Sequence, residues 1–155
     1  MELADILSEE SVLACPDVKD KTTLLTQLSR KAATLTGYDA ETILETIEAR
    51  EALGSTGLGN GIAVPHGKLA GLKGVTAVFA RLAHPVEFDS VDEQPVDLVC
   101  LLLAPVGAGA DHLKALARVA RLLRTESLVD SLRASNDPQR LYALLTQAVP
   151  SQHAA

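Results

Sequence analysis

Tryptophan is absent, and two Phe and two Tyr are the whole aromatic complement of the 155 residues. Stacking platforms for bases or sugar rings are therefore not supported. Cysteine is nearly absent too: Cys15 and Cys100 stand far apart, the second inside an apolar run, so two reduced thiols are expected rather than a disulfide or a metal knuckle. Positive charge is in short supply. Fourteen Lys and Arg against twenty Asp and Glu give a net charge of −6, which argues against a broad basic face for a nucleic acid. The longest purely apolar run, Val99–Ala104, falls far short of the roughly 20 residues that cross a bilayer. Acids stand in Met1–Asp5 where a secretory leader carries bases, so a cytoplasmic address without membrane insertion is expected.

What is present is a globular composition, 47% hydrophobic and 22% charged, in a chain long enough for one domain with a core and too short for two ordinary ones. Residues 1–150 form that domain in this reading, and 151–155, with His153, a fraying tail. After a short N-terminal lead, Leu24, Leu28, Ala32 and Leu35 recur at helical spacing and predict a helix over Asp20–Leu35, ended by Gly37. Asp39 is placed to cap a second helix reaching Leu53, with Ala40, Ile43, Leu44 and Ile47 along one face. Arg50 falls at the edge of that stripe, where an arginine calls for an anionic partner, either a carboxylate or a bound phosphate.

Four glycines in Gly54–Gly61 predict a tight loop with exposed backbone rather than regular structure. A short extended piece, Ile62–Val64, follows. Pro65 excludes Val64 from helical geometry, which puts His66 just past a strand end, and Gly67 leaves room for an approaching partner. Near-continuous apolar runs at Val75–Leu82 and Asp97–Leu103 read as strands covered on both faces. Between them, Pro85–Asp97 carries five acids and no base, and reads as a surface hairpin or loop. Turn chemistry accounts for Asp89 and Asp92, with a docking edge for a basic partner as the alternative. A helix over Asp111–Leu123 is expected to bury Leu113, Leu116, Ala117, Ala120 and Leu123, with His112 in its first turn. A short helix over Ser127–Ala134 and a last one from Asp137-Pro138 through Val149 complete a single α/β domain.

The glycine loop fails as a nucleotide cradle, because G-x-G-x-x-G phased on Gly57 or Gly59 requires glycine at Ile62 or Val64. Walker A fails as well, since Leu69 follows Gly67-Lys68. No two of the four histidines lie three or four apart, so no metal site and no cofactor is implied. A hydrolytic triad lacks its G-x-S-x-G elbow. What survives is a histidine beside a glycine-rich loop and a helix-end arginine. A neutral imidazole there can attack a phosphoryl group, with Arg50, loop hydroxyls and a second imidazole neutralising charge, or can be a structural histidine satisfied by backbone.

The stretch Glu48–Lys68, reading EAREALGSTGLGNGIAVPHGK, resembles the active-site signature of the fructose/mannitol-type enzyme IIA domains of the bacterial phosphotransferase system. The likeness continues through Pro85–Pro105 and Asp111-His112-Leu113. It implies one compact α/β domain with a central mixed sheet flanked by helices, accepting a phosphoryl group from a histidine-phosphorylated carrier protein. By position it assigns His66 as the phosphorylated residue, His112 as the second active-site histidine and Arg50 as the arginine near the phosphoryl group. Ser55 and Thr56 become possible hydroxyl donors, with loop capping the alternative, and the acids of Glu87–Asp97 possible steering groups for the carrier.

A domain with no attached sugar-binding, membrane or carrier segment is most similar to the nitrogen-regulatory branch. That branch implies regulatory targets such as potassium-transport components or sensor kinases. A sugar-specific enzyme IIA that passes phosphate to an enzyme IIB, and a phosphorylation-independent binding module, are the other readings.

Overall fold

A computed structural model describes residues 2–151 of the chain. Its centre is a six-stranded mixed sheet built on one long antiparallel pair, β5 (Thr76–Val86) and β6 (Val96–Pro105). β1 (Val12–Ala14) lies parallel to β5 on its outer side. On the other side of β6 run β3 (Ile62–Ala63) and β4 (His66–Leu69), both parallel to it, and β2 (Gly57–Gly59) folds back antiparallel on β3. Ile62 faces Leu98 and His66 faces Leu102, so β3 and β4 keep one register along β6. They are a single line of chain interrupted at Val64-Pro65, where proline offers no N–H to the ladder.

Alternate residues of the central strands feed two separate cores. Ala77, Phe79, Leu98, Cys100 and Leu102 pack under α3 (Ala110–Leu122), α4 (Glu126–Arg133) and α5 (Pro138–Ser151). Val78, Ala80, Val99, Leu101 and Leu103 pack under α1 (Lys21–Thr36) and α2 (Ala40–Ala52). The expectation of strands covered on both faces holds, in a helix–sheet–helix sandwich. Burial in the first core pushes the Cys100 thiol up to about 12, so it stays protonated, and both cysteines are free.

The helix termini follow their capping residues. Asp20 Oδ1 accepts from the Thr23 N–H at 2.8 Å, and Gly37 closes α1 in the left-handed region at φ 76°. Asp39 accepts from both the backbone and the hydroxyl of Thr42. In α5 the Asp137 carboxylate takes the Gln139 N–H ahead of the helix opened by Pro138. Residues 152–155, with His153, lie outside the described residues, while Ser151 is the last residue of α5.

Five expectations are corrected, in whole or in part. The N-terminal lead holds β1, too short for periodicity to reveal. The glycine segment is in part regular: β2 and β3 form a hairpin whose Asn60 and Gly61 both have positive φ, 58° and 82°, as a tight Asn-Gly turn requires. Arg133 of α4 fastens this turn by donating to the Asn60 carbonyl at 2.7 Å while paired with Asp97. His66 follows the end of β3 as expected, but is itself the first residue of a further strand, β4. Gly67 serves packing, since a Cβ there would stand 2.7 Å from Thr46 Cγ2 of α2. Finally, α3 departs in part from its expected phase. Leu123 is buried and Leu116 packs against the core as expected, but the helix also buries His112, Ala115, Val119 and Leu122 and leaves Leu113 66% exposed, because apolar residues on both sides of the stripe permit either phase and the sheet selects this one.

Candidate functional site

The last turn of α2, the hairpin β2–β3, the start of β4 and the first turn of α3 converge at one end of the sheet. A pocket of about 190 Å³ opens there, lined by Arg50, Ser55, Thr56, Gly57, Leu58 and His66 among others. A larger open groove of about 1150 Å³ shares only Leu58 with it and has neither histidine nor cysteine in its walls.

His66 is half-buried, with Nδ1 2.9 Å from the Val64 carbonyl. A carbonyl only accepts. The ring hydrogen of the neutral imidazole therefore sits on Nδ1, and Nε2 keeps the lone pair. His112 enters from α3, 6% exposed, its ring centroid 5.5 Å from that of His66 and the planes tilted by 53°. Burial first, then electrostatic repulsion from the neighbouring His66 and Lys68, holds the His112 pKa below the usual histidine value. Its buried Nδ1 has no hydrogen-bond partner among the described residues.

Arg50 stands on the pocket wall and donates to the Gly54 carbonyl at 2.8 Å. No carboxylate of the described residues forms an ion pair with it. Of the two partners the sequence leaves open for this arginine, the carboxylate is not supplied by the described residues.

The hydroxyls of Ser55 and Thr56 border the pocket but are engaged with protein. Ser55 Oγ donates to the Phe88 carbonyl at 2.7 Å and accepts from the Gly57 N–H at 3.1 Å. Thr56 Oγ1 donates to the Glu51 carboxylate, which also takes the Thr56 N–H. Glu51 is in turn 3.0 Å from Lys21 Nζ, and Lys21 lies 4.4 Å from the Phe88 ring centroid.

Neither Glu51 nor Lys21 is singled out by sequence reasoning. Glu51 adjoins Arg50 at a helix end, facing a loop of free N–H groups, and that was the available signal. Lys21 is thirty residues away in sequence and offers none.

The acidic segment also closes onto this site. Asp92 accepts from the Asn60 N–H at 2.9 Å and from the Gln94 N–H at 3.1 Å, and these bonds hold its carboxyl below the usual range. Ser90 is packed so tightly over Gly57 that a Cβ on that glycine would lie 2.1 Å from Ser90 Oγ. Among the described residues no group of three His, Cys, Asp or Glu could hold a metal ion. No helix of the described residues is long and apolar enough to cross a membrane.

Comparison with known proteins follows the same geometry. The family model for the phosphoenolpyruvate-dependent sugar phosphotransferase system, EIIA 2, matches residues 5–148. A nitrogen regulatory protein of Bradyrhizobium diazoefficiens is 50% identical over 155 residues, covering 100% of both chains. The crystal structure of nitrogen regulatory protein IIA-Ntr from Neisseria meningitidis superposes with a TM-score of 0.88 at 34% identity, covering 93% of this chain and 99% of that one. Enzyme IIA-mannitol of Escherichia coli, solved in complex with phosphorylated enzyme IIB-mannitol, shares the fold. Its TM-score is 0.75 at 22% identity, over 90% of this chain and 96% of that one.

Proposed function

The chain belongs to the EIIA 2 family of the phosphoenolpyruvate-dependent sugar phosphotransferase system, and on that premise we propose that it is a phosphocarrier whose His66 accepts the phosphoryl group. The carrying observation is the Nδ1 contact to the Val64 carbonyl, which leaves Nε2 as the nucleophilic atom at the pocket wall. Nε2 attacks the phosphorus of a phosphohistidine on the carrier protein. The new N–P bond forms as the donor N–P bond breaks, and that electron pair returns to the carrier's imidazole. Positive charge develops on the His66 ring, and the Nδ1–H donated to Val64 stabilises it.

In-line transfer asks for positioning and charge neutralisation more than for covalent help. Arg50, with no carboxylate partner among the described residues, meets the phosphoryl oxygens with its guanidinium. His112, neutral at pH 7, offers a ring N–H to another oxygen. Ser55 and Thr56 act through loop shape, since both hydroxyls are already spent. Leu53 and Leu113, exposed by 84% and 66%, and Leu58 at the pocket edge give the carrier an apolar rim to dock on. The exposed acids Glu87, Asp89 and Glu93 steer a basic partner towards it.

Full-length similarity to a nitrogen regulatory protein supports a role in which the phosphorylated and bare forms bind regulatory targets differently. Potassium-transport components and sensor kinases are the kinds of target this branch implies, and the cytoplasm is where such a relay operates. The shared fold with enzyme IIA-mannitol favours one second reading, onward transfer to an enzyme IIB.

Incubation with phosphoenolpyruvate, enzyme I and its histidine-phosphorylated carrier tests the proposal by intact mass. One acid-labile phosphoryl group is expected on the wild type and none on His66→Ala. Absence of label on the wild type, with the upstream pair active, removes the phosphocarrier reading. Rapid loss of label to an added enzyme IIB favours the second reading.

A further inference from the structure

A short chain of hydrogen bonds runs from a buried carboxylate to the acceptor ring. Glu51, its side chain 6% exposed, receives Lys21 Nζ at 3.0 Å and the Thr56 N–H at 3.1 Å on Oε1, and the Thr56 hydroxyl on Oε2. The Thr56 carbonyl accepts from the Val64 N–H at 3.1 Å. The Val64 carbonyl accepts from His66 Nδ1 at 2.9 Å. The peptide plane that carries this carbonyl has no N–H of its own, because its nitrogen belongs to Pro65. It is held by its neighbours: the Val64 N–H on one side and, on the other, the Pro65 carbonyl, which accepts from the Leu102 N–H at 2.9 Å.

From this arrangement we infer that Glu51 is a positioning residue for the phosphoacceptor: by pinning Thr56 it aims the Val64 carbonyl at Nδ1 and so keeps the His66 lone pair on Nε2. The inference rests on the phosphoacceptor reading for its consequence, and on geometry alone for the tautomer. Lys21 is the counter-ion that lets a carboxylate be kept out of water at this position. Without the carboxylate, both donors of Thr56 lose their acceptor, Lys21 keeps only the Phe88 carbonyl at 3.4 Å and the exposed Asp89 at 3.8 Å, and the Thr56 carbonyl that receives the Val64 N–H is no longer pinned. An unconstrained histidine favours the opposite tautomer, with hydrogen on Nε2, which has no lone pair to offer there.

The test is the His66 tautomer, read by long-range proton–nitrogen correlation on histidine-labelled protein, together with the rate of labelling by the carrier. Wild type is expected to show hydrogen on Nδ1. Glu51→Ala is expected to shift His66 towards the Nε2–H form and to slow labelling roughly ten- to a hundredfold, the scale of a small misplacement of reacting atoms. Glu51→Gln should recover most of both, since its amide oxygen accepts the Thr56 N–H and its NH₂ meets Thr56 Oγ1. A general loss of stability would leave the tautomer of the folded protein unchanged.

Should Glu51→Ala fail to fold, Thr56→Val, which removes only the hydroxyl bond, is expected to give a smaller shift in the same direction. A folded variant of either kind that keeps the Nδ1–H tautomer and the wild-type rate overturns the inference. If wild type takes no phosphoryl group at all, the phosphocarrier reading falls, and the tautomer shift still decides the role of Glu51.

Discussion

At position 66 one ring nitrogen is committed to a backbone carbonyl and the other is left free, so the surroundings of the residue, more than its identity, define its chemistry. His112 is set by burial in a different way. Its pKa is depressed in the folded protein, so between the folded value and the ordinary 6.5 the unfolded chain binds more protons. The stability it contributes is complete above that window and is lost as pH falls through it. Urea titrations of His112→Asn at a series of pH values are expected to show a flatter decline on the acid side than wild type.

Under the proposed function, a phosphoryl group on His66 is expected to reverse the local sign. Two negative charges close to His112 favour its protonated form, so its pKa, followed by NMR, is expected to rise when His66 is phosphorylated. Arg50→Lys keeps the charge but loses the planar fork, and should slow transfer about tenfold with the melting temperature little changed, at a cost near that of a charged hydrogen bond.

At the scale of elements, the site depends on close contacts between backbone and side chain. Gly67→Ala puts a methyl group against Thr46 Cγ2 and is expected to destabilise by about 1–3 kcal/mol. Thr46→Ser removes that carbon and keeps the hydroxyl that donates to the Thr42 carbonyl. Denaturation of the double variant should recover most of the loss, and additive losses would show that the contact is not the cause.

The same elements show what sequence can reveal. Helices α1, α2 and α5 were legible to within a residue or two because Asp20, Asp39 and Asp137-Pro138 write their own starts. The phase of α3 was not, since apolar residues fill more than one face and only the sheet chooses between them. The hairpin was legible in principle from Asn60-Gly61, but four glycines obscured it. His66, Arg50 and His112 stand out by motif and do come together, whereas the partnership of Lys21, Glu51 and Thr56 depends on α1 crossing behind the loop, which no local pattern encodes.

For the whole molecule, a net charge of −6 and an acidic segment fastened to the β2–β3 hairpin make encounter with a basic carrier, under the proposed function, the step expected to be most sensitive to salt. Charge reversal at the exposed Glu87 and Glu93 is expected to slow transfer at low ionic strength, and the difference from wild type should vanish at high salt. Stopped-flow labelling across a salt series checks this. In the proposed function the phosphoacceptor is a single atom. Phosphorus–nitrogen coupling in the NMR spectrum of the histidine-labelled phosphoprotein reads it directly. Coupling to Nε2 of His66 is the predicted result, and phosphorus on Nδ1, or on a residue other than His66, would contradict the account.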